Sequence, residues 1–243
     1  MGMHERCEAL VAGSRNRERE VTVTTAIIGV GNIGGRLARD LVRGGVPVVL
    51  AAKDEAHADG LARELGELAS AGSVEEAIAA ADVAVFAVWL DTSKELIARH
   101  GEILAGKVVV DPSNPIGFDE NGQVIRTLPD EQSAGSVLAA LLPAGAHYVK
   151  AFGTLGADAL ASAAHRQPRP AVLFYATDDD VAAAAAERLI SAAGFEPLKA
   201  GRAADAGRLE VPGGDLHQNG GLNGRLLDLD QARAAVEATD VTA

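Results

Sequence analysis

Thr24-Thr25-Ala26-Ile27-Ile28-Gly29-Val30-Gly31-Asn32-Ile33-Gly34 sets the class of the chain. An apolar strand runs straight into a glycine turn, and the turn runs into an amphipathic helix. Ile33, Leu37 and Leu41 recur at i, i+4 and i+8 and line one face, while Arg36, Arg39 and Asp40 look elsewhere. The spacing Gly29, Gly31, Gly34 fits a strand-to-helix connection that receives a pyrophosphate. The first glycine permits the tight turn, the second removes the Cβ that would block a phosphate, and the third lets helix and strand pack closely. Amide groups at the helix start then hold the charge. Gly29, Val30, Gly31, Asn32, Ile33 and Gly34 are therefore expected to bind a dinucleotide, against the plainer reading that the glycines only make a sharp corner.

Working outward, short apolar runs alternate with amphipathic stretches, which predicts an α/β chain: a Rossmann-like, doubly wound, mostly parallel sheet. Strands are expected at Thr24–Ile28, Val46–Ala51, Glu67–Ala69, Val83–Val88, Val108–Asp111, His147–Phe152, Ala171–Ala176 and Glu196–Lys199. Leu61, Leu65 and Leu68 repeat the one-sided helical pattern. Asp178, Asp179 and Asp180 precede a helix as cap and dipole partners, and Gly194 stops it. Three units follow from these patterns. Residues 1–22 are a mixed-charge leader without periodicity, expected to be disordered. Residues 23–200 form the NAD(P)-binding domain. Residues 201–243 form a short irregular extension, in which the glycine- and amide-rich stretch 213–224 is a loop before a final helix at Leu229–Ala238.

The end of the second strand chooses between dinucleotides. Ala52-Lys53 stands there, and the ammonium of Lys53 suits a 2′-phosphate, so NADP is favoured; if Lys53 is only a solvated charge, NAD serves as well. Other strand ends face the same crevice. Ala87 and Val88 are expected along the cofactor. Trp89, the single tryptophan, either paves the second substrate's site or packs. Asn114, between two prolines, offers a donor and an acceptor to a nicotinamide carboxamide, or simply makes a turn. Phe152, Gly153 and Thr154 end the sixth strand on the substrate side. His147 is expected at the surface, Lys150 as a snorkelling strand lysine, and His217 in a mobile tail. No residue stands out as a catalytic acid or base, and no cluster has metal-ligand spacing.

Composition removes several classes. The 22 Lys and Arg against 34 Asp and Glu give a net charge of −12, which opposes binding to nucleic acid or an anionic membrane. No apolar run reaches the roughly 20 residues that span a bilayer. The lone Cys7 rules out an internal disulfide and agrees with a cytoplasmic protein. With 48 % hydrophobic residues but 3 % aromatic, the core must be filled by Ala, Val, Leu and Ile.

Three motifs resemble the coenzyme F420-dependent NADP oxidoreductases and their NADPH-dependent reductase relatives. They are Ala26-Ile27-Ile28-Gly29-Val30-Gly31-Asn32-Ile33-Gly34, Val109-Val110-Asp111-Pro112-Ser113-Asn114-Pro115 and Val149-Lys150-Ala151-Phe152-Gly153-Thr154. The resemblance spans roughly residues 23–200. It implies hydride exchange between C4 of a nicotinamide and C5 of a deazaflavin (coenzyme F420) or a flavin-like acceptor, with the rings stacked in the crevice. Such a reaction asks the protein to orient rings and exclude water. The Ser-Arg pair common in that family after the second strand is Ala52-Lys53 here, which keeps a charge but loses a hydroxyl and a planar fork. Two other readings stand beside it: a dehydrogenase or imine reductase acting on a small organic substrate, and a non-catalytic NAD(P)-binding redox sensor. Leu222, Leu226, Leu227 and Leu229 are expected to pack on a second subunit in a homodimer.

Overall fold

The computed structural model describes residues 23–240, so the expectation for the leader 1–22 falls outside the described residues. Eight strands form one sheet: β1 Thr25–Ile28, β2 Val48–Ala51, β3 Ala69–Ala71, β4 Val83–Phe86, β5 Val108–Asp111, β8 His147–Ala151, β9 Val172–Ala176 and β10 Glu196–Gly201. Their order is β10-β9-β8-β5-β4-β1-β2-β3. Six strands run parallel, while β9 meets β8 antiparallel and carries β10 with it. Between β5 and β8 lies a separate antiparallel hairpin, β6 Ile116–Phe118 and β7 Val124–Arg126, which the apolar patterning did not reveal.

Helices cover both faces. On one side α1 Asn32–Arg43, α2 Glu55–Leu65, α6 Ala157–Ala163 and α7 Asp180–Ala192 pack on Ile27, Leu50, Val85, Val110 and Leu173. On the other, α3 Val74–Ala80, α4 Leu90–Leu104 and α5 Ala134–Leu141 pack on Ile28, Phe86 and Val109. The central strands are buried on both faces, which is why they read as continuous apolar runs rather than alternating ones. The chain leaves β3 and crosses back to β4 on the far side of β1, so the sheet order reverses between β1 and β4. Ligands of open α/β sheets bind at such a point, beyond the carboxyl ends of the strands.

Several boundaries and packings differ from expectation. The third strand is Ala69–Ala71; Glu67 and Leu68 belong instead to a 3₁₀ turn, and Leu68 is exposed rather than continuing the apolar stripe of Leu61 and Leu65. Asp179 caps α7 as expected, its carboxylate accepting from the Ala182 amide at 2.9 Å. The C-terminal stretch is part of the globule. Leu209, Leu216, Leu222, Leu227 and Ala232 bury against Val172, Phe174 and Ala176, and the last helix, α8, spans Leu229–Asp240. Leu222 and Leu227 are thus buried within the chain, and Leu226 and Leu229 are partly buried against the same globule. Among the described residues, no helix is long and apolar enough to cross a membrane, and no group of side chains is arranged to hold a metal.

Candidate functional site at the strand reversal

The glycine turn sits at the reversal point. Gly29 has φ +94°, and its amide donates to the Ala51 carbonyl of β2 at 2.7 Å, closing the corner. A Cβ there would lie 2.5 Å from the Ala87 carbonyl oxygen and 2.6 Å from the Val88 side chain. A Cβ on Gly34 would lie 1.8 Å from the Gly29 oxygen. Both glycines are dictated by the packing of the turn on itself and on the end of β4. Gly31 is different: it is exposed, has a negative φ, and a Cβ there would meet nothing within 4 Å. No internal contact asks for a glycine at 31. It is also the N-cap of α1 and makes no side-chain cap, so the first amides of the helix are open toward the crevice.

Around this turn the expected cofactor residues assemble. Ile28 pairs with Ala51 on one side and Phe86 on the other, which brings Ala52-Lys53 and Ala87-Val88 to flank Gly29. Lys53 is exposed, and Asp54 occupies the N-cap position of α2 without a side-chain cap bond. Val30 is buried in the core, so it contributes only its backbone. Asn32 is exposed and its backbone carbonyl accepts from Arg36 at 2.8 Å.

The third expected group lies deeper than the strand pattern suggests. Phe152, Gly153 and Thr154 are all buried. Phe152 holds φ +65° with its ring in the core beside Leu155 and Leu160, so the ring is not available to a substrate. Gly153 is needed because a Cβ would fall 2.7 Å from the Pro112 carbonyl oxygen. Asn114 is likewise committed: its amide donates to the Gly153 carbonyl at 3.2 Å, and its oxygen accepts from the Val211 amide at 2.8 Å. A nicotinamide carboxamide would have to displace one of these bonds. Of the expected substrate residues, only Trp89 is open to solvent.

Two residues weighed as isolated prove to be anchors. Lys150 does not snorkel. It is 1 % exposed, and its Nζ meets Asp111 at 2.8 Å and Glu210 at 3.1 Å and donates to the Ser113 carbonyl. Tyr148 donates to the same Asp111 carboxylate at 2.8 Å. Glu210 accepts from the Ala134 and Gly135 amides at 2.9 Å each, at the start of α5. Burial alone would lower the Lys150 pKa, but the Asp111 and Glu210 carboxylates outweigh it and hold the ammonium charged. Burial, with the neighbouring carboxylates, likewise pushes the Tyr148 phenol well up. His217, expected in a mobile tail, is 3 % exposed. Its Nδ1 accepts from the Asn219 amide at 2.9 Å, and the ring hydrogen-bonds the Gly153 backbone. Burial lowers its pKa to about 4, the Gly153 contact opposing and the Lys150 charge reinforcing the shift. Together with Gln218, whose amide donates to the Thr154 carbonyl at 2.9 Å, these groups fasten residues 210–218 across the ends of β5 and β8. The strand pattern could not show this, because each partner is distant in sequence. His147, at the opposite end of β8, pairs with Asp179 at 2.7 Å.

The mostly parallel sheet, its reversal point and the glycine turn together make a Rossmann-like fold. More narrowly, residues 24–115 match the family described as NADP oxidoreductase, coenzyme F420-dependent. Among solved structures, the chain is similar to a hypothetical protein, SMa0349, from Sinorhizobium meliloti, with 29 % identity over 85 % of this chain and 95 % of the other, and a TM-score of 0.73. It is similar to a candidate F420-dependent NADP reductase from Arthrobacter sp. FB24, with 22 % identity over 75 % and 86 % of the two chains and a TM-score of 0.65. A reductive aminase from Aspergillus terreus, in complex with NADPH and ethyl levulinate, is 21 % identical over 75 % of this chain and 56 % of its own, with a TM-score of 0.56. At those identities the last two show the shared fold. No curated protein matches the chain.

Proposed function

We propose that the protein is an NADP(H)-dependent oxidoreductase that passes a hydride between the nicotinamide and coenzyme F420 or a flavin-like acceptor. The observation that carries the reading is the contrast within the turn: packing accounts for Gly29 and Gly34 but leaves Gly31, beside open helix amides, without an internal reason. A pyrophosphate laid against Gly31 supplies that reason. Lys53, free at the end of β2, is placed for a 2′-phosphate, which favours NADP over NAD. Bound NADPH supplies the hydride from its own ring. What the chain contributes is placement: helix amides for the phosphates, and Ala87 and Val88 along the cofactor's path. Hydride transfer to the oxidised acceptor leaves an anion that takes its proton from solvent water, so the exchange asks for no relay through the chain. The nearby titratable groups Lys150, Asp111 and Glu210 are consistent with this, since they are buried and satisfied by one another.

The test is a spectrophotometric one. NADPH incubated with the protein should be consumed only when oxidised F420 or a flavin is added, and a panel of ketones and imines should leave it untouched. Turnover of the panel without turnover of F420 or flavin would assign the chain to the imine-reductase type of chemistry. Binding without any turnover would make it a sensor.

A further inference from the structure

We infer that the acceptor's ring is seated by an aromatic corner that the glycine turn does not include: Trp89, at the start of α4, and Phe118, on the β6–β7 hairpin. The inference rests on the function proposed above and names the class of second substrate, a planar ring system with a polar edge. The two rings meet edge to face, with centroids 6.0 Å apart and planes at 78°. Trp89 is 56 % and Phe118 60 % exposed, so each has a broad apolar face in water. Between them, Leu90, Asp91 and Thr127 complete an open pocket of about 180 Å³.

Its position ties the pocket to the crevice. Trp89 directly follows Ala87-Val88, the residues that press on Gly29, so the pocket begins where the cofactor's path along β4 ends. The hairpin has little reason of its own to exist. Its strands are three residues each, Val124 and Ile125 are exposed beside Phe118, and an isolated two-stranded ribbon is marginal in water. Its base is held by Thr127 donating to the Pro115 carbonyl at 2.9 Å and by Arg126 reaching the Pro212 carbonyl at 3.3 Å. That is enough to present Phe118, not to bury it.

The chemistry of the corner selects its occupant. Two perpendicular rings accept a third flat ring, stacked on one and edge-on to the other, whereas an aliphatic ketone or imine has no face to offer. Trp89 is the N-cap of α4 and makes no side-chain cap, so the first amides of this 15-residue helix are open to a carbonyl oxygen. Asp91, exposed in the same turn and paired with Lys94 at 2.9 Å, offers a carboxylate to an N–H. A ring edge that alternates carbonyl and N–H, as the pyrimidine edge of flavins and deazaflavins does, satisfies both.

The only tryptophan of the chain gives a direct readout. Titrating the full-length protein with oxidised F420, and separately with FMN, should quench Trp89 emission saturably. In Phe118→Ala the quenching midpoint should rise about tenfold, as loss of an aromatic stacking partner typically costs. Phe118→Leu should give a smaller rise, and affinity for 2′-phospho-ADP-ribose, which lacks the nicotinamide, should stay unchanged in both. Both side chains are mainly in water, so truncation opens no core cavity. An unchanged midpoint in Phe118→Ala overturns the inference, as does a wild-type dimer by light scattering that Phe118→Ala dissociates, since the corner would then be covered by a second copy. Failure of 2′-phospho-ADP-ribose to bind the wild type strikes the proposed function instead, and the F420 titration still reports on the corner.

Discussion

Replacing Gly31 and Gly34 by alanine, one at a time, should split stability from cofactor binding. For Gly34→Ala the new methyl would stand 1.8 Å from the Gly29 carbonyl oxygen and 2.9 Å from the Ala87 Cβ. Backbone cannot step aside as a flexible side chain can, so the cost lies at the upper end of overpacking, about 3 kcal/mol. In a chain of this size that lowers the melting temperature by about 6–12 °C. For Gly31→Ala nothing lies within 4 Å, and φ, at −74°, is negative as residues with a side chain prefer. Two small effects then oppose: alanine loses less entropy on folding, about 0.4–1 kcal/mol, but is a poorer N-cap than glycine by a similar amount. The melting temperature should therefore stay within about 3 °C of wild type. Binding should not. A methyl where the pyrophosphate approaches costs about 1.5–3 kcal/mol, a ten- to hundredfold loss of NADPH affinity. Differential scanning fluorimetry and isothermal calorimetry on the two variants read both quantities. NADPH binding of wild-type strength by Gly31→Ala would refute the argument that a ligand explains this glycine.

Three further outcomes follow from the same geometry. His217 has an ordinary pKa of 6.5 when unfolded and about 4 when folded, so the unfolded chain takes up the proton first. Stability should be fully present above pH 6.5 and fall by up to about 3 kcal/mol as pH drops through about 4. Asp40, raised by burial to about 6, acts in the opposite sense over much of that range, but its half-exposed carboxyl offsets only part of the loss. Urea midpoints of wild type and His217→Gln across that range should converge toward acid, and parallel curves would contradict the assignment. Lys150→Met should destabilise by about 3–5 kcal/mol in chemical denaturation, because it leaves Asp111 and Glu210 buried without their cation; a loss below about 1 kcal/mol would show the cluster to be neutral. Lys53→Ala should reduce the preference for NADPH over NADH about fivefold in steady-state kinetics, the worth of one exposed ion pair to a phosphate, and an unaltered ratio would place the 2′-phosphate elsewhere.

Much of the scaffold was legible because its causes are local. The apolar runs of β1, β4 and β5 are read directly, since a strand buried on both faces is apolar along most of its length. The glycine spacing marked the turn because the constraint at Gly29 and Gly34 comes from residues folded back within a few positions or from the adjacent strand end. The β6–β7 hairpin escaped notice because Ile116–Phe118 and Val124–Arg126 are too short and too exposed to show alternation. The burial of Phe152, Gly153 and Thr154 went unseen for a related reason. A strand end is known from sequence, but which of its side chains face the crevice depends on the loops packed over it.

What the sequence by itself determined is the order of strands and helices, the glycine turn with its helix amides, and the cation after β2. Each follows from residues close together along the chain. Tertiary structure alone decided that Lys150 is a buried ion-paired anchor, that His217 is held neutral against Gly153, that Asn114 is spent on Val211 and Gly153, and that Trp89 stands beside Phe118. The partners in these pairs lie 29 to 97 positions apart, so burial and charge at each depend on a neighbour that local patterning never sees. Desolvation is a property of the assembled site, and it decides the role of a lysine or a histidine only once the chain has closed around it.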